Sequence, residues 1–373
     1  MTFELGDPVD PRLPWVRTLS NLDAAWRTTG TGTRQRTVER AGRTLGDALR
    51  SRPRVVSVRT LPTSAAPYPV RFAFNGTVPT LAPGAMLVIQ NRSLLVQVRT
   101  DDGIKNVLFN PTDGPTNQAA PFYARLIAKT PRFLKQSFVP KPNRCAEQLA
   151  AFGLSCADID VIAFDHFHTQ DVRPLLGGDG FTARFPNALL LAPRVEWNEW
   201  DDLPMIQRAW FVPDGKRGVP ESRVVLTHSD LSLGEGLVLL RTPGHTTGNQ
   251  TLFVHGDGGV FGSSENGTAS DNWAPHHSRI PGVKRAAKQL DLEVILNANT
   301  PELAAEQYTS MLLERSMVDR VPGKPEFFQM FPSSEVTASV IAPHIKPTHS
   351  FFEMTSGAVV APATTAGASR AAE

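Results

Sequence analysis

Three histidines in two short segments are the side chains best suited to chemistry. His166 and His168 are separated by one residue and directly follow the apolar run 160–164. In an extended chain, residues i and i+2 point to the same side, so both imidazoles can reach one ion. His245 lies 77 residues after His168, in the turn Thr-Pro-Gly-His-Thr-Thr-Gly, where glycine and proline direct the imidazole out of a strand end. Because neutral imidazoles bind zinc and iron, this pattern predicts a three-histidine metal site.

Short strands and interspersed helices must position these histidines. Apolar runs bounded by turn residues predict strands over 70–74, 86–90, 94–100, 106–111, 160–164, 188–193, 224–228, 237–245, 251–255, 260–264 and 293–299. Helical spacing and end signals predict helices over 35–50, 122–138, 143–152, 281–290 and 300–318. Strands outnumber helices, and helices recur between groups of strands. This arrangement favours two sheets with helices outside.

The two histidine motifs together resemble those of the metallo-β-lactamase superfamily, over roughly residues 70–320. That family reads H-x-H-x-D-H after a strand, then T-P-G-H-T-x-G, then an acidic residue and a late histidine. The resemblance implies an α/β fold class, as a four-layer αββα sandwich of two mixed β-sheets flanked by helices, with an N-terminal helical extension. We expect an accessory segment over 1–60, the metallo-β-lactamase-like domain over 61–355 with a pocket-shaping insertion at about 174–222, and a disordered tail over 356–373.

The resemblance implies that His166, His168 and His245 bind a first metal. The second site departs from the family pattern, because Gln170 stands in place of the aspartate and Asp171 in place of the next histidine. Asp171 is still expected to act as a ligand and as the preferred catalytic base. The bridging acid and second catalytic candidate is Glu265, 20 residues after His245. Where the family has its late histidine, this chain has two asparagines, Asn297 and Asn299. A histidine from the preceding loop, His276 or His277, could bind the metal in its place.

Such a site implies zinc, as one or two ions, with iron or manganese as the alternative. The first functional hypothesis is a metal-dependent hydrolase of an ester, lactone, thioester or similar acyl bond in a small organic molecule, using metal-activated water. The second is a non-hydrolytic enzyme of the same fold, a lyase or an iron-dependent oxidative enzyme. The third is a catalytically silent binding protein in which the metal only stabilises the fold. Zinc content favours the first, and iron with visible absorption favours the second.

The substrate-binding candidates are an arginine near the motif and tryptophans in and beyond the insertion. Arg173 could clamp a carboxylate or phosphate, or could be a structural surface residue. The tryptophans of the insertion could form a lid over an apolar substrate, belong to the core or, as a third option, form a dimer contact: Trp197, Trp200 and Trp210. Trp273 lies eight residues after Glu265 and is the better candidate for the pocket. The expected partner is therefore a small-molecule substrate, with a homodimer as an open option.

Composition excludes several other classes. A net charge of +2 over 373 residues does not favour a nucleic-acid or acidic-membrane partner. No apolar run approaches the roughly 20 residues that a membrane span needs. The first ten residues carry three acidic side chains and no secretory pattern, so we expect a cytoplasmic protein. In that reducing compartment, Cys145 and Cys156 are expected to be free thiols.

Overall fold

The computed structural model describes residues 2–80, 84–112, 116, 118–130, 144–340 and 342–362. Within them, the helices are α1 (Asp23–Trp26), α2 (Thr31–Arg50), α3 (Val70–Ala73), α4 (Pro121–Lys129), α5 (Cys145–Ala151), α6 (Arg173–Leu176), α7 (Arg194–Glu199), α8 (Ser270–Trp273), α9 (Val283–Leu290) and α10 (Ala304–Met317). No helix among these residues is both long enough and apolar enough to cross a membrane.

One sheet has seven strands in the order β1-β2-β9-β10-β11-β12-β15, in which only the β12–β15 pair is parallel among the described strands. Its strands are β1 (Leu5–Pro8), β2 (Val16–Leu19), β9 (Asp230–Leu233), β10 (Leu237–Arg241), β11 (Gln250–Gly256), β12 (Gly259–Ser264) and β15 (Met330–Pro332). A separate two-stranded sheet pairs β13 (Arg320–Val321) with β14 (Lys324–Phe328).

The other large sheet has eight strands in the order β17-β3-β4-β5-β6-β7-β8, and β16 also pairs with β4. Its strands are β3 (Ser57–Pro69), β4 (Met86–Thr100), β5 (Gly103–Phe109), β6 (Val161–Ala163), β7 (Leu189–Pro193), β8 (Val224–Thr227), β16 (Ser334–Thr337) and β17 (Thr355–Gly357). Strands β5 to β8 are parallel, so their carboxyl ends meet at one edge of the sheet. That edge carries the histidine motif.

Three apolar cores separate four layers. In β4, Leu94 and Val96 face the first large sheet, whereas the intervening Leu95 faces the opposite side, toward Leu149 of α5. This alternation is the expected consequence of strand geometry. On the outer face of the first sheet, Phe253 packs in a third core with side chains of α2 and α10. The predicted sandwich of two mixed sheets flanked by helices is therefore confirmed.

The N-terminal segment is part of this sandwich. β2 pairs with β9, and β1 forms the edge of the same sheet beyond it. Helix α2 packs against α10 on the outer face, through Val38 and Leu45. Strand β3 begins at Ser57, so the expected boundary at residue 60 would divide a strand. Residues 2–56 thus supply β1 and β2 of the first sheet and helix α2 on its outer face, so the N-terminal segment packs as part of the sandwich.

Other local expectations also need correction. The run 70–74 forms the short helix α3, and 293–299 is not a strand, because its backbone bonds go to Asn272, Asn266 and Phe72 instead of a sheet ladder. The expected insertion at 174–222 contains β7, a central strand of the eight-stranded sheet. Within the expected tail, β17 pairs with β3, while residues 363–373 lie outside the described residues.

Candidate metal centre

The segment that carries His166 and His168 follows β6 and is fixed to the end of β5 and to the other large sheet. The Asp165 backbone N–H donates to Asn110 Oδ1 at 2.9 Å, and Asn110 Nδ2 donates back to Asp165 Oδ2 at 3.0 Å. Asn110 directly follows β5, so this reciprocal pair aligns the ends of two parallel strands. The Gln250 backbone N–H donates to the Asp165 carbonyl and so ties the segment to the other large sheet.

The turn that carries His245 connects β10 to β11 and is closed by its own hydrogen bonds. The Thr242 backbone N–H donates to the Asn249 carbonyl, and Asn249 Nδ2 donates to the Thr242 carbonyl at 3.0 Å. Gly244 has a φ of +154°, and a Cβ at this position would lie 2.2 Å from Cα of Gln307 in α10. Glycine is therefore required by both the backbone conformation and the close approach.

The two segments converge as the sequence predicted. His166, His168 and His245 are all buried, and one ring nitrogen from each lies within 4.8 Å of the others. Nδ1 of His168 lies 3.2 Å from Nε2 of His245. Three buried imidazoles at this separation can share one cation, and among the described residues they form the one such group of histidine, cysteine or carboxylate side chains.

The remaining nitrogen of each ring is occupied by a protein partner. Nδ1 of His166 donates to Oδ1 of Asp165 at 2.7 Å, and Nε2 of His168 donates to Oε1 of Gln207 at 2.6 Å. Nδ1 of His245 faces Asn297, whose side-chain nitrogen lies 3.4 Å away. Protein metal sites commonly use such outer partners to fix the ring orientation and the ligating nitrogen. The acceptors on His166 and His168 leave Nε2 and Nδ1, respectively, for an ion, and Nε2 of His245 lies 3.2 Å from that Nδ1 of His168.

The protonation of the cluster suits a cation. Burial, followed by the charge of His166, lowers the pKa of His168 well below its usual range. Burial and the other two histidines do the same for the pKa of His245. Burial works to raise the pKa of Asp165, but the charge of His166 and hydrogen bonds from His166 and Asn110 hold that pKa below its usual range. At neutral pH, His168 and His245 thus offer uncharged ring nitrogens, and the Asp165 carboxylate lies beside the cluster.

Asp171 is not brought into this cluster. Its Oδ2 accepts a hydrogen bond from Nη2 of Arg173 at 2.7 Å, and its Oδ1 accepts one from Nε of the same guanidinium at 2.9 Å. Arg173 also contacts Asp179, and neither Asp171 nor Arg173 lines the cavity beside the histidines. Asp171, expected to be a ligand and base, and Arg173, expected to clamp the substrate, instead form a buried ion pair at the start of α6. This geometry corrects their assignment to the site.

Glu265 and Asn299 do reach the cavity beside the histidines. Oε2 of Glu265 and Oδ1 of Asn299 are buried and have no hydrogen-bond partner among the described residues. Burial, and then the charge of Asp165, raises the pKa of Glu265 well above its usual range. Two orphaned oxygens beside three imidazoles fit a cation or a polar substrate, because an unpaired buried oxygen is otherwise costly.

The other second-site candidates lie elsewhere. Asn297 acts as an outer partner, because its Oδ1 accepts the Tyr68 hydroxyl proton at 2.6 Å while its Nδ2 faces His245. His276 is partly buried and His277 is exposed, and neither joins the cluster or lines its cavity. The ring of His277 packs beside Phe327 instead. The pair is therefore not brought to the metal centre as a substitute for the family's late histidine.

Of the four tryptophans proposed to bind substrate, Trp210 lines the cavity, with its ring 6.1 Å from that of His168. Trp197 and Trp200 pack on Phe167, on the side away from the cavity. Trp273 is fully buried, and its indole N–H donates to Glu314 in the core. Trp210 thus lies where a substrate contact is possible, whereas Trp197, Trp200 and Trp273 do not line this cavity.

The cavity measures ≈ 60 Å³, and several of its residues carry no sequence signal for function. Tyr68, Tyr123 and Arg92 line it together with Glu265. Nη1 of Arg92 is buried without a partner among the described residues, while Nη2 is paired with Glu335. Gln207 was also missed, since nothing in the loop after α7 distinguishes it. Asp165 could have been noticed, because it directly precedes His166.

No family model matches this chain, and no curated protein matches it. Similar solved structures include a probable metal-dependent hydrolase from Staphylococcus aureus, at 15% identity over 69% of this chain and 83% of that one, with a TM-score of 0.49. AidC, a dizinc quorum-quenching lactonase, is 12% identical over 76% of this chain and 89% of its own, with a TM-score of 0.46. The hydrolase AbOPH, described as belonging to the beta lactamase superfamily, is 12% identical over 82% of this chain and 96% of its own, with a TM-score of 0.46. Sequence identities and TM-scores at this level do not assign a function to this chain.

Proposed function

We propose that this protein is a metal-dependent hydrolase of an ester, lactone, thioester or similar acyl bond in a small organic molecule. One observation carries the proposal: three buried imidazoles bring one nitrogen each within 4.8 Å of the others, and His166 and His168 hold their second nitrogen on an acceptor side chain. A histidine cluster that served only the core would need no such division of its nitrogens. Fold likeness alone would not support a function.

The metal that suits this donor set best is zinc, because three neutral imidazoles form an open tetrahedral site. Iron and manganese are the alternatives. His166, His168 and His245 would hold such an ion, which would supply Lewis-acid polarisation of an acyl oxygen and an activated water. The orphaned oxygens of Glu265 and Asn299 support a further role in binding, either to the same ion or to a second one.

The residues around the cavity suggest how a substrate is held. Nη1 of Arg92 is a buried donor without a partner in the described part of the chain, so it can donate to an acyl or carboxylate oxygen, while the pairing of Nη2 with Glu335 keeps the guanidinium in place. The ring of Trp210 provides an apolar wall. Glu265 is our candidate for holding the proton that the reaction moves, because its carboxyl group lies in the cavity and Asp171 is engaged by Arg173. This arrangement favours a small substrate with an acyl group and an apolar portion.

The decisive experiment combines metal content with activity. Protein purified without chelator is analysed for zinc, iron and manganese, then assayed with an aryl ester, a lactone and a thioester. We expect about one or two zinc ions per chain and hydrolysis of at least one class. Iron with visible absorption and no hydrolysis would favour the non-hydrolytic alternative. A folded protein that holds zinc, hydrolyses none of the three substrates and unfolds more readily after chelation would favour the silent binding protein.

The matched variants are His245→Ala and Asp257→Ala. The first removes one proposed ligand and should abolish metal retention. The second removes a carboxylate of the β11–β12 turn, which accepts a hydrogen bond from the Gly357 backbone N–H and does not belong to the histidine cluster, so this variant should retain the metal. Full occupancy in His245→Ala would contradict the ligand assignment. The cytoplasmic location and the homodimer stay predictions, and size-exclusion chromatography with light scattering tests the latter.

A further inference from the structure

A second cavity lies behind the turn that carries His245. It measures ≈ 550 Å³, within the range of roughly 300–1,000 Å³ typical of small-molecule sites. The turn contributes Pro243 and residues 247–250, the β7–α7 junction contributes Pro193–Val195, and Trp26 of α1 closes one side. His166 and His168 do not line it, so it is separate from the metal centre, although both cavities share the turn as a wall.

The wall of this second cavity is apolar and also positively charged. Trp26, Pro193, Val195 and Pro243 offer apolar surface, and Val195 is half exposed. Among the described residues, no aspartate or glutamate lines the cavity, whereas two arginines and His228 do. An apolar pocket with a surplus of cationic side chains matches a ligand with an apolar body and an anionic end.

The two arginines differ in what they can offer. Arg241 is already engaged, because its guanidinium pairs with Asp230 at 3.0 Å and with Asp23 at 2.7 Å. Arg194 is exposed, and the described residues give it neither an ion pair nor a side-chain hydrogen bond. Arg194 is therefore the cation whose charge is left for a ligand, at the mouth of the cavity beside Val195.

We propose that the second cavity binds a small organic carboxylate with an apolar body, the size of a medium-chain fatty acid. Arg194 pairs with the carboxylate, with the Ser229 hydroxyl and His228 nearby in the wall. The apolar body lies against Trp26, Pro193 and Val195. The site is distinct from the acyl-bond hydrolysis proposed above, and its occupant is a ligand rather than the molecule that is cleaved.

The experiment measures octanoate binding by titration calorimetry, with 1-octanol as the uncharged probe of matched length. We expect octanoate to bind more tightly than 1-octanol to the wild-type protein. Arg194→Ala should weaken octanoate binding about tenfold and leave 1-octanol binding nearly unchanged, because one charge-assisted contact is lost. Val195→Glu should weaken both. Arg36→Ala, on the exposed face of α2, is the control for general charge and should match the wild type.

Carboxylates also bind metal ions, so the two sites must be separated. The titrations are repeated on protein treated with chelator and on His166→Ala, in which the metal centre is disrupted and the second cavity is intact. Octanoate binding that survives in both and is weakened by Arg194→Ala supports the proposal. Binding that disappears with the metal, or that is unchanged in both Arg194→Ala and Val195→Glu, overturns it. Thermal unfolding of each variant shows that a loss of binding is not a loss of fold.

Discussion

The carboxylate of Glu196 accepts the hydroxyl proton of Thr246 at 2.7 Å in a fully buried contact. Its other oxygen accepts the backbone N–H of Phe167, also at 2.7 Å. Phe167 lies between His166 and His168, and Thr246 directly follows His245. A single side chain at the start of α7 therefore connects the two segments that carry the three histidines, and it does so without touching any of them.

Glu196 should give stability a characteristic dependence on pH. Burial raises its pKa from 4.5 to about 7, with the charge of His166 and the hydrogen bonds working against burial. Between these two values, the folded protein binds a proton that the unfolded chain releases. The free energy of unfolding should therefore fall as pH rises through this window, by up to about 3 kcal/mol, because the buried carboxylate is then ionised.

The measurement is chemical unfolding of metal-free protein at pH 4.5 to 8, for the wild type and for Glu196→Gln. The amide cannot ionise, so the difference in unfolding free energy between the two proteins should change with pH while other carboxyls cancel. We expect the unfolding free energy of Glu196→Gln to rise relative to that of the wild type as pH rises. A difference that is constant across the window would show that Glu196 does not titrate there.

Gln207 should control how tightly the metal is held. Its Oε1 accepts the Nε2 proton of His168, and its own amide donates to Glu302 at 2.5 Å. Gln207→Leu removes the acceptor that fixes the ring, so metal affinity should fall about tenfold to a hundredfold. Competition with a chromophoric chelator measures this change, and Arg208→Ala, the exposed neighbour, is the control. Unaltered affinity in Gln207→Leu would mean that the ring is oriented by packing alone.

The convergence of the three histidines could be predicted from sequence because it depends on local signals. His166 and His168 follow an apolar strand, and His245 lies in a turn with two glycines, so local signals place each of them at a strand end. The two-sheet architecture likewise follows from apolar alternation in runs such as β4. Both features depend on patterns a few residues long. That the two distant histidine segments meet is predicted from the resemblance to the metallo-β-lactamase superfamily.

The missed features depend on tertiary contacts that spacing does not reveal. Asp171 matched a family position within one residue, but Arg173 two positions later takes both of its oxygens. Gln207 and Trp210 belong to an irregular loop, which is held by the Thr169 backbone N–H donating to the Trp210 carbonyl. The apolar run 293–299 has the composition of a strand, yet its backbone partners lie in loops and helices. In each case, the role of the residue depends on the partners that the tertiary fold brings to it, and residue type alone does not reveal those partners.

Asp171 should contribute to stability and not to metal binding. Its side chain is 1% exposed and accepts two charge-assisted hydrogen bonds from Arg173. Asp171→Ala should therefore lower the unfolding free energy by about 1–3 kcal/mol, since part of the guanidinium loses its partner. Elemental analysis should find the wild-type metal content, and Asp171→Asn should recover part of the stability. Loss of metal from a folded Asp171→Ala protein would return this residue to the ligand set.

The two cysteines should differ in reactivity. Cys145 is fully buried in the core beneath the eight-stranded sheet, and burial raises its pKa to about 12. Cys156 is partly exposed, with a pKa raised by burial and partly lowered by Arg184. Because the thiolate is the reactive form, a disulfide reagent at pH 8 should modify Cys156 in the native protein and Cys145 only after unfolding. Thiol counting before and after denaturant measures this, and native Cys156→Ser should not react. Rapid modification of two thiols in the folded wild type would contradict the burial of Cys145.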